Sequence, residues 1–166
     1  MNHADIPHHH HNPAGSPAPA SSLNATAFWA TLHCLSGCAV GEVLGMVIGT
    51  ALGLSNGMTI ALAVILAFAF GYAFTTVPLL RAGIPLRQAA RLALAADTVS
   101  IAIMEFVDNL IMLAVPGAMD APLSSGLFWG ALAFSLLVAA VVAYPVNRWL
   151  IGRGAGHAVV HAHHQH

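Results

Sequence analysis

Cys34, Cys38, Glu42 and Met46 recur every four residues within an apolar stretch, and His33 stands beside the first of them. That spacing stacks side chains along one side of an α-helix. Thiol, imidazole and thioether groups select Cu(I) and related soft or borderline ions, whereas glutamate is a harder ligand. Thiolate character at the two cysteines needs a nearby cation or a metal. One turn apart on a helix, they are disfavoured as a disulfide and are expected as free thiols.

A second group lies further along the chain: Asp97, Met104, Glu105, Asp108, Asn109 and Met112. On a helical wheel Asp97, Met104, Glu105, Asp108 and Met112 fall within roughly 100° of arc. Three carboxyls on one apolar helix cannot face lipid and are tolerated where they serve a site or a path. Placed close together, they are expected to titrate as a coupled group. Gly37, Gly41, Gly45, Gly49 and Gly53 also repeat every four residues. Small residues at that interval let helix backbones approach closely, so the glycines are expected to be packing devices.

The elements that must hold these residues are membrane helices. Hydrophobic residues make up 58% of the 166-residue chain and charged residues 7%, against about 25% charged in a soluble domain. A span needs roughly 20 mostly apolar residues, and four stretches qualify: 27–53, 58–80, 88–115 and 127–151. The expected fold class is therefore an all-α membrane protein, an oligomeric bundle of four transmembrane helices. Glycine and proline punctuate the connections. Spans two and four carry no comparable polar group and read as scaffold.

The five arginines set the expected topology, since the chain has no lysine. Arg81, Arg87 and Arg91 surround the second connection, Arg148 and Arg153 stand at the end of the fourth span, and the first and third connections hold none. The positive-inside rule places both termini in the cytoplasm. The first and third helices then run in the same direction, with Asp97 level with Cys34 and Cys38, and with Glu105 and Asp108 near Glu42 and Met46. Near-zero net charge and the lack of a basic stripe exclude a nucleic-acid partner.

Residues 1–26 read as a disordered tail rich in His, Pro and Ala, without the basic start of a secretory signal. Residues 152–166 form a second His-rich tail. Histidines in such tracts chelate Zn, Ni or Cu without needing a fold.

The string from Ala30 to Met46, followed by Met104-Glu105-Phe106-Val107-Asp108-Asn109, resembles a family of bacterial multi-pass membrane proteins, a domain of unknown function sometimes labelled copper-related. The resemblance covers about residues 27 to 151. It implies a bacterial cytoplasmic (inner) membrane location and no established activity.

The leading expectation is a binding or transport protein for a transition metal ion, with copper favoured and zinc, nickel or iron as alternatives. The expected ligand set is His33, Cys34, Cys38, Glu42, Met46, Asp97, Met104, Glu105, Asp108 and Met112. No catalytic residue or organic cofactor is expected. The other readings are a thiol-redox membrane enzyme, a proton-coupled carrier using the acids of the third helix, and a subunit packed through its glycine face. The Cys-x3-Cys spacing argues against redox, where Cys-x2-Cys is usual. Four spans are few for a monomeric carrier, so the expected partners are the bilayer, the metal ion and further copies of the chain, as a dimer or higher oligomer.

Overall fold

A computed structural model describes residues 20–153. Four helices follow one another: α1 (Ala20–Ala51), α2 (Asn56–Arg81), α3 (Leu86–Ala114) and α4 (Gly126–Gly152). No strand occurs among the described residues. The later helices match the expected spans to within a turn. α1 begins at Ala20 rather than Ala27, so helix takes in the end of the segment expected to be a disordered tail. The remainder of that tail, and the C-terminal histidines, lie outside the described residues.

α1, α2 and α4 are long and apolar enough to cross a bilayer, which makes this a membrane protein. α3 is as long, but Arg87, Arg91, Asp97, Glu105 and Asp108 make it too polar to qualify by composition. Its polarity is one-sided. Asp97, Ser100, Met104, Glu105, Asp108 and Met112 are buried, while Leu94, Val99, Phe106, Leu110 and Leu113 face outward.

The first two connections are cut short by the same backbone device. Gly53 and Gly83 adopt φ values of 65° and 83°. At the first, Leu54 N–H bonds Gly49 C=O at 2.9 Å and Gly53 N–H bonds Thr50 C=O at 3.1 Å; Ile84 and Gly83 repeat the pattern on Leu79 and Leu80. This left-handed cap satisfies helix-end carbonyls and favours glycine, which lacks the Cβ that would clash. Gly53 therefore ends α1 and does not belong to the packing stripe expected of it.

α1 lies closely along α2, and α3 along α4; α1 and α3 face each other diagonally across the bundle. The α1–α2 contact is made by small residues. A Cβ on Gly37 would stand 2.6 Å from Gly71 Cα, and one on Gly49 would strike the Thr59 side chain. Gly41 and Gly45 meet Ala67 and Ala63 in the same way. Thr59, Ala63, Ala67 and Gly71 are themselves four residues apart, so two stripes of small residues run against each other in opposite directions. On α4 the buried positions Ala131, Ser135, Ala139, Ala143 and Asn147 keep the same interval.

Candidate functional site

Diagonal helices cannot touch through their backbones, so long side chains must fill the space between α1 and α3. Those side chains are the acids, thiols and thioethers. Cys34 Sγ lies 3.8 Å from Asp97 Oδ1 and donates toward it. One turn on, Cys38 adjoins Glu105. A further turn on, the Glu42 carboxyl meets that of Asp108, with Glu105 close by. Residue numbers rise together on both helices, so α1 and α3 run in the same direction.

Sulfur brackets the acids. Cys34, Cys38 and Met104 pack with Ile101, Ala67, Ala139 and Ala143 in one cluster. Met46 and Met112 pack with Phe128, Ala131 and Leu132 in another. Met104 thus joins the cysteines rather than the acid level. Both cysteines are free thiols.

The acids are deeply buried: Glu42 is 0% exposed, Asp108 1%, Glu105 4% and Asp97 7%. Every carboxyl oxygen of Glu42, Glu105 and Asp108 lacks a hydrogen-bond partner. Carboxylate oxygens can only accept, so the two facing groups cannot satisfy one another. Among the described residues, no arginine stands within ion-pair distance of these acids. Burying charge without a counter-ion or proton is strongly unfavourable.

His33 does not join this line. It precedes Cys34 by one residue, about 100° around the helix, which turns it toward α2 and leaves it exposed. Its Nε2 lies 3.2 Å from Thr75 Oγ1, and its ring meets Phe74 edge-on. Thr75 stands between His33 and Asp97. The remaining nine expected ligands are buried between α1 and α3. Among the described residues, no three His, Cys, Asp or Glu side chains converge as a group able to hold a metal ion.

The reading of α2 and α4 as mere scaffold is corrected on two points. Thr75 carries the link to His33. Asn147 Nδ2 on α4 donates to Thr31 Oγ1 at 2.9 Å, and Thr31 in turn donates to Ala27 C=O. Ser100, buried beside Cys34, adds a hydroxyl to this end of the line. Asn147 ends the four-residue stripe of α4, and that periodicity was the available signal that it faces inward. For Thr75 no such signal exists, because a threonine in an apolar helix commonly bonds its own backbone.

These features define an all-helical membrane protein with a buried line of acids and sulfur between two parallel helices. The family model for a domain of unknown function, DUF4396, matches residues 23–156, and the chain belongs to that family. Comparisons with curated proteins and with solved structures returned no match.

Proposed function

We propose that the chain binds or carries a soft or borderline transition-metal cation, Cu(I) first, along the seam between α1 and α3. The observation carrying this reading is the acid level itself: Glu42, Glu105 and Asp108 are buried with no partner for any carboxyl oxygen. Such groups call for a positive charge or a proton from outside the chain. The sulfur on either side makes copper the favoured cargo, since hard cations prefer an all-oxygen site. In this reading Cys34, Cys38, Met46, Met104 and Met112 are soft donors. Glu42, Asp97, Glu105 and Asp108 form a second layer or a proton-coupled relay. His33 takes part only after leaving Thr75.

The ion is held by few donors at a time and passed from level to level, which suits Cu(I) and its low coordination numbers. α3 crosses the bilayer with its three neighbours, its acids sheltered from lipid. Both termini lie in the cytoplasm of a bacterial cell, the chain sits in the inner membrane, and it works as a homodimer or larger assembly.

The test is the metal content of purified protein by mass spectrometry, in a full-length background whose tail histidines are replaced by alanine. Copper should co-purify or reload there and fall away in the Cys34→Ser/Cys38→Ser variant. Unchanged binding in that variant overturns the ligand assignment. The facing pair Glu42 and Asp108 favours a second reading, a proton-coupled carrier of another solute. Transport abolished by Glu105→Gln but indifferent to both cysteine substitutions would select it.

A further inference from the structure

All five arginines sit at one end of the bundle. Arg81 closes α2, Arg87 and Arg91 open α3, and Arg148 and Arg153 close α4. Each is exposed. The start of α1 belongs to the same end, because Arg148 Nε donates to Asn24 Oδ1 at 2.6 Å. None of the five forms an ion pair among the described residues. The described acids lie elsewhere: four are buried in the seam, and Asp120 is at the opposite end, where it accepts from Asn56 Nδ2 at 3.0 Å. The arginine end therefore presents concentrated positive charge with no internal counter-charge.

We infer that this end binds anionic phospholipid headgroups, with Arg81, Arg87 and Arg91 as the principal contacts. Arg87 and Arg91 are one helical turn apart on one face of α3, and Arg81 stands just across the short turn at Gly83. Guanidinium groups grip phosphate oxygens through paired N–H donors. Apolar side chains border the charges and favour a lipid over a soluble anion: Leu80, Leu86 and Trp149 are all exposed beside them. Arg153 lies over the Trp149 ring, 4.3 Å from its centroid, an arrangement suited to the boundary between headgroups and acyl chains. Anionic leaflets attract basic residues at this depth. The assignment is independent of what the seam carries.

The experiment uses the full chain in vesicles of phosphatidylcholine with a minority of phosphatidylglycerol, followed by analysis of the lipid retained on extraction. Phosphatidylglycerol should be retained in preference, and added salt should weaken the preference. Arg81→Gln/Arg87→Gln/Arg91→Gln should lower it by roughly five-fold per arginine removed. Metal loading should not change. Where the triple variant does not give folded helical protein, Arg87→Gln and Arg91→Gln singly carry the same comparison. Equal retention of the two lipids by the unaltered protein overturns the inference, as does a folded variant that keeps the full preference. If inorganic phosphate binds through these arginines while phosphatidylglycerol is not preferred, the surface serves a soluble anion and the lipid assignment falls.

Discussion

α1 presents two faces of opposite character, offset by a single residue. Gly37, Gly41, Gly45 and Gly49 meet α2 through small residues alone. Cys34, Cys38, Glu42 and Met46 meet α3 through reactive or polarisable side chains, and the Glu42 carboxyl has no hydrogen-bond partner. The first face gains from contact over its whole length, because backbones can approach closely where no side chain intervenes. The second tolerates unsatisfied groups that stability alone would not retain. Where one helix carries both, the close-packed face fixes the position from which the other works.

The largest effect should come from breaking the dry face. Gly41→Leu forces a side chain into the backbone of Ala67, which cannot move aside. It should prevent recovery of monodisperse protein in detergent, and normal yield with an unchanged melting temperature would show that the helices are not closely packed. Gly45→Ala is the milder form, expected to cost about 1–3 kcal/mol in a denaturant titration.

Substitution on the seam should act in the opposite direction. Glu42→Gln removes a buried acid yet keeps its shape, and should leave stability unchanged or raise it by about 1 kcal/mol or more, with lower cation binding. A marked loss of stability would show that the carboxyl is a structural strut.

The smallest effects concern single bonds on the flanking helices. Asn147→Leu should cost about 1 kcal/mol by removing the bond to Thr31, read as a lower melting temperature. Thr75→Val should cost a similar amount or less, because His33 can turn to other partners. An unaltered His33 environment in nuclear magnetic resonance spectra of Thr75→Val would show that their contact is incidental.

Much of this contrast was legible in the chain. The four-residue interval marks both faces of α1, and three acids on one arc of α3 have only the bundle interior to face. Glycine and proline marked the connections. What could not be read was direction around a helix at single positions. His33 sits next to Cys34 in sequence, but one residue carries it a quarter-turn and more away, onto α2. Thr75 and Asn147 are ordinary residues of apolar spans until another helix supplies their partner. The early start of α1 carries no apolar signal, because Ala20 to Thr26 is polar and alanine-rich.

The small-residue contact also sets the mechanics of the molecule. With no side-chain cushion between them, α1 and α2 cannot roll on one another without collision, so they behave as a single rigid pair. The line of acids therefore starts from a fixed edge, with Glu42 and the two cysteines held at a set angle toward α3.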